Sequence, residues 1–331
     1  MSYYKKITVL GDGGWGTTLA ILLHNKGFKV TLWSAFEDYA KILDKNRVNP
    51  NYLKGIKIPK PIEITSDLSR ALKCDLVVLA IPSQYLRSVL LKAAKFYDRK
   101  IPVVSVVKGI ENKTLLRMSE VVRDVWQSRR LAVLSGPTIA LEVARGIPTA
   151  AVVSSKDKKF MLEVQGLFMA PHFRIYANAD MAGVELGGSL KNIIAIACGI
   201  ADGLGFGTNT KAAILSRGLA EMSRLGAVMG ARKETFFGLA GVGDLVTTCF
   251  NTLSRNHFVG EKIGKGYSLR QVIDSMKMVA EGVPTAKSAF MLGVRFKVEL
   301  PITNQIYSVL FKNKSPLSAV RQLMMREKKG E

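Results

Sequence analysis

The stretch ITVLGDGGWG, residues 7–16, decides the fold. Four strand-forming residues lead into glycines at positions 11, 13 and 16, and the segment that follows has apolar residues at helical spacing. A strand, a G-x-G-x-x-G turn and a helix in this order are typical of a Rossmann βαβ unit. There, Gly11 permits the tight turn, Gly13 lets the backbone approach a pyrophosphate, and Gly16 allows close packing of the helix on the strand. The stretch therefore predicts a dinucleotide site at a helix N-terminus.

Short runs rich in Val, Ile and Leu alternate with segments of helical period up to about residue 180. Buried strands of a parallel sheet have this composition. We predict strands at residues 7–10, 30–33, 76–81, 103–107, 132–135 and 150–154, and helices at residues 17–25, 39–46, 83–94 and 115–127. Such alternation indicates a Rossmann-like, doubly wound parallel sheet with right-handed crossovers.

The second half of the chain has helical periodicity and no credible strands. Helices are predicted at residues 183–201, 210–229, 269–275, 285–292 and 301–311. Because 331 residues exceed the size of about 250–300 at which a single core stops growing, we expect two domains. The fold class is thus α/β, with a dinucleotide-binding domain over residues 1–180 and a C-terminal all-α substrate and catalytic domain over residues 181–331.

Charge and composition exclude several classes of protein. The formal net charge of +22 divides about evenly between the two halves, without a basic arm, so no nucleic-acid partner is expected. The longest apolar runs, such as residues 193–198, fall far short of the roughly 20 residues of a membrane-spanning helix, so no integral membrane segment is expected. Cys74, Cys198 and Cys249 lack C-x-x-C spacing, which argues against disulfides and against a metal site. We expect a cytoplasmic protein.

Polar residues follow two further predicted strands, at the sheet edge where ligands of open α/β sheets bind. Lys108 follows the strand at 103–107, and Gly136 with Thr138 follows the strand at 132–135. An ammonium group, backbone N–H groups and a hydroxyl at these positions can bind a cofactor or a substrate oxygen.

Lys191 lies in a predicted helix of the second half, and Gly187 stands four residues earlier on the same face. We expect Gly187 to leave space for a ligand beside the ammonium group, which suits proton transfer. Asp244 follows a glycine-rich loop and can orient an ammonium group. Adjacent donors suited to a phosphate are Ser254, Arg255 and Asn256.

The choice between NAD and NADP depends on the end of the second strand, where NAD-selective enzymes carry a carboxylate. Residues 33–36 read Trp-Ser-Ala-Phe, and Glu37 comes slightly late. Without a carboxylate a 2′-phosphate is not repelled, and three cations follow at Lys41, Lys45 and Arg47. We therefore expect NADP or NAD to bind, with NADPH favoured.

Five blocks occur in order along the chain. They are Gly-x-Gly-x-Trp-Gly at 11–16, Val-Lys-Gly-Ile-Glu at 107–111, Leu-Ser-Gly-Pro-Thr at 134–138, Glu-Leu-x-Gly-x-Leu-Lys-Asn at 185–192, and Gly-x-Gly-Asp-Leu with Ser-Arg-Asn between 241 and 256. With these blocks the chain resembles the bacterial NAD(P)-dependent glycerol-3-phosphate dehydrogenases from residue 7 to about residue 311. It departs from them at Ala35, where the family often has a basic residue.

The resemblance implies reversible reduction of dihydroxyacetone phosphate to sn-glycerol 3-phosphate, which supplies glycerophospholipid synthesis. It implies that Lys191 is the catalytic proton donor or acceptor, with Lys108 and Asp244 beside it. The implied substrate contacts are Lys108, Gly136, Thr138, Lys191, Asp244, Ser254, Arg255 and Asn256. The implied cofactor contacts are Gly11, Gly13, Gly14, Trp15, Gly16, Lys108, Ala140, Arg255, Val279 and Glu281. We consider a homodimer as the assembly.

Other interpretations of the same architecture stay open. A β-hydroxyacid or 6-phosphogluconate-type dehydrogenase places an asparagine four residues after the helical lysine, where this chain has Ala195. A lactate- or malate-type enzyme needs a His–Asp pair for proton transfer, and the sequence reveals none. A non-enzymatic nucleotide sensor would have no reason to keep Lys191, Lys108 and Asp244 together.

Overall fold

The computed structural model describes residues 4–251 and 253–327, which contain ten strands and fifteen α-helices. The strands are β1 (Lys6–Leu10), β2 (Lys29–Trp33), β3 (Val48–Asn49), β4 (Leu53–Lys57), β5 (Glu63–Thr65), β6 (Leu76–Leu79), β7 (Val103–Ser105), β8 (Leu131–Ser135), β9 (Thr149–Ser155) and β10 (Phe173–Asn178). The helices are α1 (Gly14–Asn25), α2 (Glu37–Asn46), α3 (Leu68–Ala71), α4 (Leu86–Ala93), α5 (Met118–Trp126), α6 (Ala140–Ala144), α7 (Lys158–Phe168), α8 (Met181–Gly203), α9 (Thr208–Val228), α10 (Asp244–Phe250), α11 (Arg255–Gly264), α12 (Leu269–Asp274), α13 (Gly282–Phe296), α14 (Pro301–Phe311) and α15 (Pro316–Met324).

Eight of the strands form one sheet in the order β10-β9-β8-β7-β6-β1-β2-β5. From β5 to β8 all neighbours are parallel and follow the order of a doubly wound Rossmann sheet. The predicted doubly wound sheet is therefore confirmed. One detail differs, because β9 runs antiparallel to β8 and β10 pairs in parallel with β9. The connection from β8 to β9 holds only the five-residue helix α6 and returns the chain alongside β8.

Four strands were not predicted. β3 and β4 pair as a small antiparallel sheet of their own, and β5 has only three residues at the edge of the large sheet. β10 alternates, since Phe173 and Ile175 are buried while Arg174 and Tyr176 are exposed. This is the period of a half-buried strand, which a search for continuous apolar runs overlooks.

The chain divides into two compact units. The first contains the residues up to Lys108 and Leu116–Glu185, and the second contains Gly109–Leu115 and Leu186–Glu331. The large sheet belongs to the first unit, where buried side chains such as Ile7 form one core with the flanking helices. In the described part of the second unit the regular elements are helices, as predicted.

Helix α8, with 23 residues, is the longest helix among the described residues. Among the described residues it alone has the length and apolar composition of a membrane-spanning helix, and its apolar window is entirely buried within the protein. It packs closely on α11, because a Cβ at Gly199 would lie 2.1 Å from the His257 carbonyl oxygen and a Cβ at Gly260 would lie 2.0 Å from that of Ile196. A helix that is buried to this extent belongs to the protein core.

Candidate active site

The glycine loop begins where β1 ends and leads into α1. Gly11 has φ of +119°, and a Cβ there would lie 2.4 Å from the Ala80 carbonyl oxygen, so only glycine fits this turn. A Cβ at Gly16 would lie 1.9 Å from the Gly11 carbonyl oxygen, which makes Gly16 a close-packing glycine. By contrast, nothing lies within 4 Å of a Cβ built on Gly13. The three glycines have the geometry that the dinucleotide fingerprint requires.

The N-terminus of α1 is suited to an anion. Gly13 is its N-cap, no side-chain hydrogen bond caps the helix there, and its first turn contains no acidic residue. Backbone N–H groups and the positive end of the helix dipole attract phosphate at such a position. The loop therefore fits the pyrophosphate of a dinucleotide.

Two more of the predicted cofactor contacts adjoin the loop. A Cβ on Gly14 would lie 3.6 Å from the Ala140 Cβ, which places the start of α6 beside the loop. Trp15 packs against the core of the first unit, and its ring meets that of Phe173 edge to face with the centroids 6.1 Å apart. The indole of Trp15 therefore anchors the loop to the core.

Lys108, Gly136 and Thr138 come together after β7 and β8. The Gly136 carbonyl oxygen accepts a 2.9 Å hydrogen bond from Lys108 Nζ and a 3.1 Å bond from the Thr138 hydroxyl. Gly136 itself has φ of +132°, a conformation that favours glycine. An ammonium group is thus held at the carboxyl edge of the sheet, where ligands of this fold bind.

In the second unit Lys191 is buried against Asp244. Its Nζ lies 2.9 Å from Asp244 Oδ1, and the two side chains are only 8% and 3% exposed. The Thr248 hydroxyl contacts the same Nζ and donates a 2.7 Å hydrogen bond to the Asp244 carbonyl oxygen. It therefore accepts from the ammonium group. Thr248 was not a predicted site residue, although its four-residue spacing from Asp244 on one helix is the signal that could have found it.

A backbone contact brings Asp244 to Lys191. Leu239–Gly243 forms a π-helical turn that runs into α10, whose first residue is Asp244. A Cβ on Gly187 would lie 2.3 Å from the Ala240 carbonyl oxygen, so α8 touches the turn directly. Protein backbone fills the space that we expected Gly187 to leave for a ligand, and that expectation was wrong. π-Helical turns are frequent at functional sites.

The start of α11 gathers several of the predicted contacts. Ser254 is the N-cap of α11, and its hydroxyl accepts a 3.3 Å hydrogen bond from the His257 N–H. Arg255 Nη1 donates a 2.9 Å hydrogen bond to the Val279 carbonyl oxygen. Glu281 follows as the N-cap of α13. The structure thus places Arg255 beside the segment that leads into α13.

Asn256 ties three helices together. Its Nδ2 donates a 2.8 Å hydrogen bond to Asn192 Oδ1 on α8, and its Oδ1 accepts a 2.8 Å bond from the Gly282 N–H at the start of α13. Because Asn192 follows Lys191 directly, this network links the helix of the buried lysine to the start of α11.

A His–Asp pair that the sequence did not reveal lies in the second unit. His257 Nε2 is 2.7 Å from Asp202 Oδ2, and Asp202 Oδ1 is 3.1 Å from Lys211 Nζ. Burial raises the pKa of Asp202, but the hydrogen bonds from His257 and Lys211 outweigh it and leave the pKa below its usual range. The two residues stand 55 positions apart along the chain, which is why the sequence gives no sign of the pair.

Among the described residues, no three His, Cys, Asp or Glu side chains form a group that could hold a metal ion. The three cysteines are free. A hydrogen bond with Cys198 and burial raise the pKa of the Cys249 thiol far above its usual range, so this thiol stays protonated and unreactive.

A Rossmann sheet with a glycine loop of the dinucleotide fingerprint, in one chain with a helical unit that buries a lysine against a carboxylate, is the organisation of a dinucleotide-dependent dehydrogenase. Residues 6–161 match the N-terminal domain of NAD-dependent glycerol-3-phosphate dehydrogenase, and residues 180–321 match its C-terminal domain. The chain belongs to this family. The resemblance, the enzyme class and NAD or NADP as the cofactor, all predicted from the sequence, are thereby confirmed.

Relatives and solved structures agree with this assignment over nearly the whole chain. A glycerol-3-phosphate dehydrogenase (NAD(P)+) from Thermoanaerobacter sp. (strain X514) is 50% identical over 98% of this chain and 98% of its own length. The crystal structure of glycerol-3-phosphate dehydrogenase from Coxiella burnetii is 36% identical, with a TM-score of 0.94 over 97% of this chain and 99% of that one. A D-mandelate dehydrogenase, at 13% identity and a TM-score of 0.64 over 93% of this chain and 98% of that one, shares the fold alone.

Proposed function

We propose that the protein catalyses the reversible, NAD(P)H-dependent reduction of dihydroxyacetone phosphate to sn-glycerol 3-phosphate and so supplies glycerophospholipid synthesis. The observation that carries this proposal is the buried Lys191–Asp244 ion pair in a chain of the NAD-dependent glycerol-3-phosphate dehydrogenase family. An ammonium group held by a carboxylate can donate a proton to a carbonyl oxygen that gains negative charge.

In this proposal the first unit holds the cofactor. The backbone N–H groups at the start of α1 bind the pyrophosphate, and Ala140 at the start of α6 flanks the loop. When bound, the cofactor supplies a hydride to the carbonyl carbon of the substrate. Lys108, fixed by the Gly136 carbonyl, presents its ammonium group to cofactor or substrate oxygens.

Lys191 is the proton donor in the proposed mechanism. Asp244 and Thr248 hold its Nζ in one place, which leaves little reorganisation for the moment of transfer. Burial excludes water and strengthens the attraction between the ammonium group and a developing alkoxide. General acid catalysis of this kind contributes a factor of about 10²–10⁴ in rate, or roughly 3–5 kcal/mol.

The substrate phosphate is assigned to the start of α11. Arg255 offers a guanidinium group, and Ser254 and Asn256 offer polar side chains on either side of it. The hydrogen bond from Arg255 Nη1 to the Val279 carbonyl oxygen holds the guanidinium group at the start of α11. Charge-assisted contacts of this type are stronger than those between neutral groups.

The central experiment compares dihydroxyacetone phosphate with dihydroxyacetone as substrates of the purified protein, followed through the absorbance of the reduced cofactor. We expect rapid reduction of the phosphorylated compound and little reduction of the other. Equal rates for both compounds would contradict the assignment of a phosphate site. No reduction of dihydroxyacetone phosphate with either cofactor would overturn the proposed function.

A matched pair of variants tests the phosphate site itself. Arg255→Met should raise KM for dihydroxyacetone phosphate at least about tenfold, because a hydrogen bond to a charged group contributes about 1.5–3 kcal/mol. Arg270→Met removes the same charge from a side chain that is 93% exposed, and its KM should be unchanged. A similar rise in both variants would point to the overall charge of the protein instead of a site.

Cytoplasmic location and assembly as a homodimer complete the proposal. The free cysteines, including the buried Cys198 and Cys249, support a reducing compartment. Light scattering on the purified protein measures its mass in solution, and a monomer at micromolar concentration would contradict the homodimer.

A further inference from the structure

A carboxylate lies beside the end of β2, although the sequence after that strand contains none at the expected place. It comes from the glycine loop: Asp12 follows β1, and its Oδ2 lies 2.6 Å from the hydroxyl of Ser34, the first residue after β2. The two strands pair in parallel with Leu10 opposite Trp33, so Asp12 and Ser34 leave the sheet side by side. This is the place where a carboxylate of NAD-selective enzymes binds the ribose 2′-hydroxyl.

The position of Asp12 is fixed by its neighbours. Its carbonyl oxygen accepts hydrogen bonds of 2.7 Å from Asn49 Nδ2 and 3.2 Å from the Thr17 hydroxyl. Asn49 is fully buried, while Asp12 itself keeps part of its surface exposed. Burial raises the pKa of Asp12 above its usual range, and the hydrogen bonds from Ser34 and from its own N–H offset part of that rise. The side chain is therefore both oriented and accessible.

Two of the cations in and after α2 have partners nearby. Lys41 Nζ lies 2.7 Å from Glu37 Oε1 on the exposed face of α2, so Glu37 is paired there. Arg47 contacts Asp44 and donates a 2.7 Å hydrogen bond to the Ile62 carbonyl oxygen. Two of the three cations that we expected to attract a 2′-phosphate thus have other partners.

We propose that Asp12, oriented by Ser34, accepts a hydrogen bond from the ribose 2′-hydroxyl of the cofactor and makes the enzyme selective for NADH over NADPH. This assignment rests on the proposed function, since it takes the glycine loop as the cofactor site. A carboxylate accepts hydrogen bonds from a hydroxyl and repels a 2′-phosphate, and Ala35 and Phe36 offer no positive charge to offset that repulsion. The geometry thus favours the cofactor opposite to the one preferred on sequence grounds.

The test is a fluorescence titration of the full-length protein with NADH and with NADPH, in the absence of substrate. Wild type should bind NADH at least about tenfold more tightly, since a like-charge contact costs several kcal/mol and 1.4 kcal/mol corresponds to tenfold. Asp12→Asn keeps the size of the side chain and removes its charge, so the ratio of the two Kd values should fall at least about tenfold. Asp38→Asn removes an exposed carboxylate of α2 and leaves the Glu37–Lys41 ion pair intact, so the ratio should be unchanged.

A second variant keeps the test decisive if Asp12→Asn fails to fold, as judged by circular dichroism. Ser34→Ala retains the carboxylate and removes the hydroxyl that orients it, so we expect a smaller fall in the same ratio. Equal binding of both cofactors by wild type, or an unchanged ratio in every folded variant of Asp12 and Ser34, would overturn the assignment. Because the titration contains no substrate, loss of dihydroxyacetone phosphate reduction with an intact ratio would contradict the proposed function and leave this assignment standing.

Discussion

The two units build their functional groups in opposite ways. In the first, the loop Gly11–Gly16 offers backbone N–H groups, and its chemistry depends on the absence of side chains at Gly11, Gly13 and Gly16. In the second, Lys191, Asp244 and Thr248 are buried side chains that meet from two helices. A backbone site is specified by a few adjacent residues, whereas a side-chain cluster also depends on how its helices pack.

The largest effect should come from the side-chain cluster. Lys191→Met is expected to lower kcat by a factor of about 10²–10⁴ while NADH affinity stays near that of wild type, because the proposed role of the lysine is to protonate the substrate oxygen. Steady-state kinetics and a fluorescence titration measure the two quantities.

Two further variants show whether the loss of activity comes from the missing ammonium group or from a general effect on charge or folding. Lys287→Met, at an exposed position of α13, should behave as wild type. Lys191→Met combined with Asp244→Asn avoids an unpaired buried carboxylate, which alone would destabilise the fold. If the double variant folds and turns over at a near-normal rate, Lys191 is not the proton donor.

Two glycine substitutions test the packing around the buried cluster of Lys191, Asp244 and Thr248. Gly187→Ala places a Cβ 2.3 Å from the Ala240 carbonyl oxygen, so the turn that carries Asp244 must shift. We expect the free energy of unfolding to fall by about 1–3 kcal/mol and kcat to fall by up to about 10²-fold. Gly166→Ala, inside α7 with nothing within 4 Å of the added Cβ, should leave kcat unchanged and stabilise by up to about 1 kcal/mol. Equal stability of the two variants in urea would show that α8 and the turn are not in contact.

The backbone site allows the same comparison between two of its own glycines. Gly13→Ala adds a methyl group in open space, so stability should hold while the Kd for NADH rises about tenfold or more through lost contact with the pyrophosphate. Gly16→Ala puts the methyl group 1.9 Å from the Gly11 carbonyl oxygen and should unfold at a lower urea concentration. Normal NADH binding by Gly13→Ala would show that the loop does not bind the cofactor.

The smallest effect concerns two helix caps. Ser254→Ala and Ser268→Ala each remove a hydroxyl that accepts an N–H at the start of a helix, and each should cost about 1 kcal/mol of stability. Only Ser254 belongs to the proposed phosphate site, so only its variant should raise KM for dihydroxyacetone phosphate. Thermal unfolding measures the capping role, and steady-state kinetics measures the role in phosphate binding. Identical KM values for the two variants would show that Ser254 acts only as a helix cap.

The sequence predicted best the features that depend on neighbouring residues. All six predicted strands and the helices between them occur, because runs of Val, Ile and Leu are buried on both faces of the sheet. The separate tasks of Gly11, Gly13 and Gly16 also follow from the motif alone, since the turn, the open position and the packed position are fixed by the strand–helix junction.

The features that the sequence did not predict depend on contacts between residues that are far apart along the chain. The antiparallel direction of β9 depends on where the chain re-enters the sheet. Asp202 and His257 are brought together only by the packing of α8 on α11, and the space beside Gly187 is filled by a turn from a later part of the chain. Asp12 occupies a variable position of the glycine motif, and its contact with Ser34 requires the pairing of β1 with β2.

The short segment Gly109–Leu115 means that no single cleavage of the chain releases an intact helical unit. Ile110 lies in the core of the second unit, and the carbonyl oxygens of Gly109 and Ile110 accept hydrogen bonds from Ser189 and Ser288. A fragment that starts at residue 186 would therefore lack part of its own interior. On the ribosome this segment emerges before all the helices that enclose it, so the interior of the second unit closes only once α13 has been synthesised.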